Sequence, residues 1–239
     1  KPNGFVDGKS EYAYIFEPHE YYTQAAIYKI LDHGLRVKTA TRKFSINGKK
    51  YDYGTYMIQV QNQKLNSDEI YELLNDVSKK YNIRFESQPT GITDGIDLGS
   101  DYFIIVKQPK IALIVGDGVR SYDAGEIWHL LDTRYDIPIS KLDVNDLEYI
   151  ELSKYSHIIL PDYYSKKISS DQINEYVTNG GNLIAYRNSI RWVSENINEI
   201  ELLSNNLIAD AVSFDKRDNF YGAQQTGGAI FNSIIDKSH

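Results

Sequence analysis

The chain has 239 residues, of which 41% are hydrophobic and 25% are charged, and this composition suits one large globular domain or two modest ones. Its 33 acidic and 26 basic residues give a net charge of −7, which argues against a nucleic-acid surface, because phosphate contacts need clustered Lys and Arg. The lack of cysteine excludes disulfide scaffolds, thiolate metal sites and cysteine nucleophiles. No apolar run approaches the roughly 18 residues of a membrane-spanning helix, so no membrane span is predicted.

Residues 1–108 predict a small α/β subdomain. Its strand patterns are short apolar or aromatic runs, and its helix patterns repeat apolar residues every three or four positions. Strands are predicted at residues 12–16, 36–40, 56–60, 83–86 and 102–106, and helices at residues 21–32 and from Asn66 to Tyr81.

Two local motifs in this subdomain predict a β-hairpin and the start of a helix. Asn47-Gly48 tolerates positive φ at both centres of a type I′ turn, so residues 44–51 predict a β-hairpin. We expect the strand at residues 56–60 to continue the pairing that the hairpin begins. Asn66 with Glu69 three residues later is a capping-box pattern, and it predicts the start of the second helix.

Gln108-Pro109 predicts a boundary, because proline restricts the residue before it and the pattern restarts immediately afterwards. Residues 109–239 then alternate strands with single helices, which require right-handed crossovers. The expected fold class is therefore α/β: a flavodoxin-like three-layer sandwich, truncated at its C-terminal end and preceded by the smaller α/β subdomain. Strands are predicted at residues 111–115, 139–142, 157–160, 182–186 and 227–231. Helices are predicted at residues 122–133, from the cap at Ser169 until Gly180-Gly181 ends the helix, and at residues 190–195.

Doubly wound sheets bind ligands at the carboxyl ends of their strands, and candidate residues for such a cleft lie there in this sequence. The candidates are Asp117, Asp123, Glu126, His129, Asn188 and Ser189. The Gly116-Asp117-Gly118 turn could hold a phosphate, but a dinucleotide fingerprint would need glycine at Ser121. The pattern favours a tight turn between strand and helix.

Asp123, Glu126 and His129 recur every three residues on one predicted helix, so they could converge on a metal ion. The polar face of an amphipathic helix is the favoured explanation, because a helix with a buried apolar stripe must show polar residues elsewhere and carboxylates near its start complement its dipole. No His is followed by Glu three residues later, the spacing of a common zinc-binding pair. We therefore predict no metal and no cofactor in this chain.

A flavodoxin-like hydrolase places its nucleophile at the sharp turn after a central strand, and here we expect that turn at residues 187–189, after the predicted strand at residues 182–186. Ser189 could attack a substrate if a base and an oxyanion hole lay beside it. Asn and Ser are also preferred N-cap residues, so Asn188 or Ser189 as the cap of the following helix is the favoured interpretation.

Several segments together carry a family resemblance, and they are residues 12–16, 54–62, 91–100, 107–118, 121–132 and 227–231. On these segments, the chain resembles the region that follows the peptidase domain in large, exported bacterial proteins of the M14 zinc carboxypeptidase family. Its second half resembles the class I glutamine amidotransferase-like fold. By that comparison, the turn at residues 187–189 takes the place of the nucleophile turn but lacks its cysteine.

The resemblance implies a zinc-dependent peptidase as the whole protein, with the zinc in its peptidase domain and a secreted or periplasmic location. This chain begins with neither Met nor a signal core, and we expect it to be a non-catalytic piece of that protein. It would support or position the peptidase domain that precedes it. Two alternatives stay open: a peptide- or glycan-binding module that uses the 20 tyrosines, and a small-molecule hydrolase that uses the cleft at the sheet edge.

Overall fold

The computed structural model describes residues 4–197, 202 and 211–223. It divides into two compact units, Lys1–Asn198 and Glu199–His239. In the second unit, the described residues form a short helix that is numbered with the others below. The strand predicted at residues 227–231 lies outside the described residues.

A six-stranded sheet with two helices forms the part of the first unit that precedes Pro109. Its elements are β1 (Phe5–Val6), β2 (Ala13–Phe16), α1 (Thr23–Asp32), β3 (Val37–Ala40), β4 (Phe44–Ile46), β5 (Lys49–Tyr51), β6 (Tyr56–Gln59), α2 (Ser67–Tyr81), β7 (Arg84–Gln88) and β8 (Phe103–Ile105). The strand order is β1-β7-β2-β6-β3-β8, in which β1 and β7 are parallel and the other pairs are antiparallel.

Alternate residues of the central strands point to opposite faces, and each face has its own core. Tyr14 and Phe16 pack with the apolar sides of α1 and α2. Ala13 and Ile15 pack instead with the β4–β5 hairpin and with Leu98 of the following long loop. The sheet is therefore covered on both sides.

The two local motifs form as predicted. The Asn66 side chain accepts hydrogen bonds from the amides of Asp68 and Glu69, and the Glu69 carboxylate accepts one from the Asn66 amide. Asn47 and Gly48 both adopt positive φ, at 51° and 80°, and β4 and β5 pair around them.

The pairing expected for residues 56–60 was wrong. The hairpin is a separate two-stranded sheet, whereas β6 lies between β2 and β3. Met57 and Ile58 are both fully buried, and a strand that is buried on both faces belongs inside a sheet rather than at the end of a hairpin.

After Pro109 the chain forms a second sheet of four parallel strands in the order β10-β9-β11-β12. The mixed α/β class is therefore confirmed. The elements are β9 (Ile111–Val115), α3 (Ser121–Trp128), a π-helical turn (His129–Arg134), β10 (Ile139–Asp143), β11 (His157–Leu160), α4 (Ser170–Thr178), β12 (Asn182–Ala185) and α5 (Ser189–Asn196), and α6 (Arg217–Ala223) lies in the second unit.

The order of the strands places β12 at one edge of this sheet among the described strands. The expectation that the turn at residues 187–189 follows a central strand is therefore not met there. The core of this sheet includes Ile114 and Ile158 with Ile173 and Tyr176 of α4 and Trp192 of α5. Among the described residues, no helix has both the length and the apolar character to span a bilayer.

Side-chain contacts connect the two halves of the first unit that lie before and after Pro109. The Tyr81 hydroxyl donates a hydrogen bond of 2.8 Å to Asp136, and Lys80 Nζ lies 2.7 Å from the same carboxylate. The Tyr135 ring contacts those of Tyr21 and Tyr22 at 5.6 and 6.2 Å between centroids. These contacts place α1 and α2 beside the loop that follows the π-helical turn.

Candidate functional site

The candidate site lies at the carboxyl edge of the parallel sheet, where the strand order reverses between β9 and β11. Open sheets bind ligands in the crevice at such a point. Here the loops that follow β9 and β11 bond directly to each other, since the Arg120 amide donates to Asp162 O and the Tyr164 amide donates to Gly118 O, each at 2.9 Å. A Cβ on Gly118 would lie 2.2 Å from the Ser165 Cβ. The two loops are therefore joined across the crevice.

Two buried carboxylates and two arginines form the polar centre of this edge. Asp123 on α3 is 5% exposed and Asp162 after β11 is 2% exposed. Arg187 Nε lies 3.2 Å from Asp123 Oδ1, and Arg120 Nε lies 3.5 Å from Asp162 Oδ2. Asn188 adds a hydrogen bond of 2.8 Å from its side-chain amide to Asp162 Oδ1. Buried charges require such partners, so this carboxylate–arginine cluster joins the loops after β9, β11 and β12.

One carboxylate oxygen of the cluster lacks a hydrogen-bond donor within the described part of the chain. Asp123 Oδ2 is buried and has no hydrogen-bond partner among the described residues. Arg120 Nε lies 4.0 Å from it, which is too far for a hydrogen bond. A buried acceptor without a partner is costly, so this oxygen is a point at which a ligand's donor would be stabilised.

The neighbouring Tyr186 is protonated over the physiological range. Burial raises the pKa of its phenol to about 12, and the negative charge of Asp123 acts in the same direction. The phenol therefore stays a neutral donor and contributes no charge to the cluster.

Ser189 belongs to the backbone framework of this edge. Its side chain is fully buried, and its hydroxyl donates to Pro161 O and accepts a 2.9 Å hydrogen bond from the Tyr163 amide. The residue in the left-handed conformation is Arg187, with φ of 56°. The turn thus places an arginine, and not the serine, in its strained position.

The N-cap interpretation of this turn was right about position and wrong about the side chain. Asn188 is the N-cap residue of α5 but makes no side-chain capping hydrogen bond. Its backbone is helical, with φ of −65° and ψ of −22°, whereas a capping side chain normally projects from an extended residue. The Asn188 amide group bonds to Asp162 instead.

Asp117 lies outside this cluster. It is exposed, and its carboxylate lies 2.6 Å from Lys167 Nζ; that hydrogen bond holds the pKa of the Asp117 carboxyl below its usual range. A Cβ on Gly116 would lie 2.7 Å from both oxygens of the Asp143 carboxylate. Since Asp143 occupies the approach to the glycine backbone and would repel an anion, the turn does not suit a phosphate.

Glu126 is exposed on the helix that carries Asp123, and His129 is exposed directly after it. The α-helix ends at Trp128, and His129 begins the π-helical turn. Within the described ranges, the structure holds no group of three or more His, Asp or Glu residues suited to a metal ion. A pocket of about 280 Å³ lies under α3, and none of the candidate residues lines it.

The structure therefore brings together Asp123, Asn188 and Ser189 from the predicted set. Sequence reasoning missed Arg120 and Asp162 and did not include Arg187 among the site residues. A signal for Asp162 was present, because it follows the buried strand β11 at its carboxyl end, one residue after Pro161.

No family model matches the chain, and no curated protein or solved structure matches it either. The resemblances to the M14 family and to the amidotransferase-like fold remain predictions.

Proposed function

We propose that this chain is a non-catalytic accessory module whose second half has a flavodoxin-like, class I glutamine amidotransferase-like scaffold. Its neighbour would be the peptidase domain of a zinc carboxypeptidase, which precedes it in the same secreted or periplasmic protein. The strand order β10-β9-β11-β12 supports the scaffold, because it is the order 2-1-3-4 with which flavodoxin-like sheets begin.

The observation that carries the proposal is the condition of the turn at residues 187–189. In hydrolases that use a sharp strand-to-helix turn, the nucleophile occupies the strained residue and its attacking atom is exposed. Here the strained residue is Arg187, whose side chain forms an ion pair with the buried Asp123. A guanidinium is not a nucleophile.

Ser189 does not take over that role. A serine nucleophile needs a base within hydrogen-bond reach and an open path to substrate. The Ser189 hydroxyl is instead fully buried, and its proton and an acceptor lone pair are engaged by Pro161 O and the Tyr163 amide. The groups around it therefore serve to hold three loops in place.

In this proposal the zinc belongs to the peptidase domain, and the accessory module contributes a rigid α/β support. The first sheet, which has a hydrophobic core on each face, and the joined loops at the carboxyl edge of the second sheet suit such a role.

A second candidate function is the recognition of a glycan or peptide at the same edge. Asp123 Oδ2 lacks a donor, and sugar hydroxyls and peptide amides can supply one. Tyr122 in the first turn of α3 and Tyr164 in the loop after β11 are 84% and 71% exposed, and aromatic rings of this kind provide contact area for such ligands. A glycan and peptide array, repeated with Y122A and Y164A, tests this candidate.

The decisive experiment for the first candidate is a peptidase assay with added zinc on this chain and on a longer protein that includes the preceding domain. We expect activity only in the longer protein. We also expect the longer protein to keep its turnover when Asp123 is replaced by Asn, since this residue lies outside any reacting centre. Hydrolysis by this chain alone that is abolished by D123N would contradict the proposal.

A further inference from the structure

A cleft of about 390 Å³ lies between α1 and the second sheet within the first unit. Its size falls in the range of small-molecule sites, which are largely apolar with a few polar groups. The apolar wall comes from both sides of Pro109. It is formed by Ile27, Leu31, Val106, Pro109, Ile111, Leu131, Ile137, Ile159 and Ile184.

One wall is a sheet face that the helices leave partly open. Ile159 pairs with Ile184 across β11 and β12, and His157 pairs with Ile111 across β11 and β9. Side chains in register on parallel strands share a face, so His157 lies on the same face as these isoleucines. Ile184 is 47% exposed, which leaves an accessible apolar surface at the mouth of the cleft.

The polar groups of the cleft are cationic or neutral. No Asp or Glu lines it, although the chain as a whole carries 33 acidic residues. Lys107 and His157 supply its positively charged or protonatable groups, and Tyr28 and Tyr56 supply hydroxyls. His157 Nδ1 lies 2.9 Å from Ser156 Oγ, so Nε2 is the ring atom that remains for a ligand.

These charged groups lie at one end of the cleft. Lys107, Pro109 and His157 also line a second cleft, of about 510 Å³, at the amino edge of the sheet, so they lie where the two clefts meet. The second cleft carries Glu151 and Glu175, which oppose an anion. The cleft against α1 is therefore the one whose charge suits an acidic ligand.

We propose that this cleft binds a small monocarboxylate with an apolar chain or ring. Its carboxylate would lie at Lys107 and His157, where charge-assisted hydrogen bonds are strong. Its apolar part would lie between α1 and the isoleucines of the sheet. The site is separate from the carboxylate–arginine cluster and does not depend on the proposed accessory role.

Isothermal titration calorimetry of the whole chain with octanoate, and with 1-octanol as a neutral match, tests the proposal. We expect saturable one-site binding of octanoate, about tenfold tighter than that of 1-octanol, because a charge-assisted hydrogen bond contributes about that factor. The double variant K107Q/H157Q removes this preference, and the control K166Q, at an exposed lysine outside the lining, keeps it.

Two blocking variants test the location. I184W fills the mouth from the sheet side, and Q24W fills it from the exposed rim of α1; since both positions are exposed, each variant keeps the folded core. We expect either one to abolish octanoate binding while the circular dichroism stays unchanged. Absence of saturable octanoate binding to the unmodified chain, equal affinity for 1-octanol, or full binding by both blocked variants would overturn the proposal.

Discussion

Replacing Ser189 with Ala removes two buried hydrogen bonds from the turn between β12 and α5. The Tyr163 amide and the Pro161 carbonyl would lose their partner, and Ser189 has no exposed surface through which water could replace it. Each lost hydrogen bond of this kind costs about 1–2 kcal/mol once the buried group is left unpaired. We therefore expect S189A to lower the free energy of unfolding by about 2–4 kcal/mol.

Trp192 reports this change directly. It is buried, and its ring contacts that of Tyr163 at 6.1 Å between centroids. The chain has two tryptophans, so replacing the more exposed Trp128 with Phe makes Trp192 the single fluorescent tryptophan. Urea unfolding followed by Trp192 fluorescence gives the midpoint, and a loss of about 3 kcal/mol lowers it by about 1 M for a slope of about 3 kcal/mol per M.

The matched control is S194A, on the same helix. Ser194 is half-buried, and its hydroxyl donates a solvent-exposed hydrogen bond to Arg191 O, so its loss changes stability by no more than about 0.5 kcal/mol. If S189A were as stable as S194A, the Ser189 hydroxyl would not be a structural group, and the reasoning about this turn would be refuted.

Three further outcomes are expected. Burial raises the pKa of the Glu86 carboxyl, but its hydrogen bonds, that from Lys49 first, outweigh burial and hold the pKa below its ordinary value of 4.5. The stability that Glu86 contributes is therefore complete above pH 4.5 and is lost as the pH falls through the lower pKa of the folded state. E86Q should make the urea midpoint depend less on pH in acid, and an unchanged pH profile would contradict this reasoning. N66A removes the capping box of α2 and should cost about 1 kcal/mol in urea unfolding, whereas a neutral effect would show that the cap is dispensable. D136N removes the ion pair with Lys80 but keeps a side-chain oxygen that can accept from the Tyr81 hydroxyl. It should cost less than about 1 kcal/mol at low salt and nothing at about 1 M NaCl, whereas a cost that persists in salt would contradict the assignment of the effect to the ion pair.

The elements that short-range chemistry determines could be predicted from the sequence. The Asn66–Glu69 capping box and the Asn47-Gly48 turn depend on residues within four positions of each other. The place of β6 could not be predicted in this way, because its partners β2 and β3 are set by which strands bury both faces of Met57 and Ile58.

At the candidate site too, local features could be predicted from the sequence and long-range contacts could not. The spacing placed Asp123 on α3 and Ser189 at the start of α5, but Asp123 meets Arg187 across 64 positions of sequence. The left-handed conformation of Arg187 has no local signal either, since Gly, Asn and Asp are the residues that usually adopt it. Both features follow from how the loops after β9, β11 and β12 meet.

The most direct test of the structural role of the turn is chemical. A fluorophosphonate probe forms a covalent adduct with an activated, accessible serine hydroxyl, and mass spectrometry locates the modified residue. After incubation of the folded chain with this probe, alongside a serine hydrolase as a positive control, we predict that the peptide containing Ser189 carries no adduct. An adduct on Ser189 would contradict the account, because a hydroxyl held between Pro161 O and the Tyr163 amide is not free to attack.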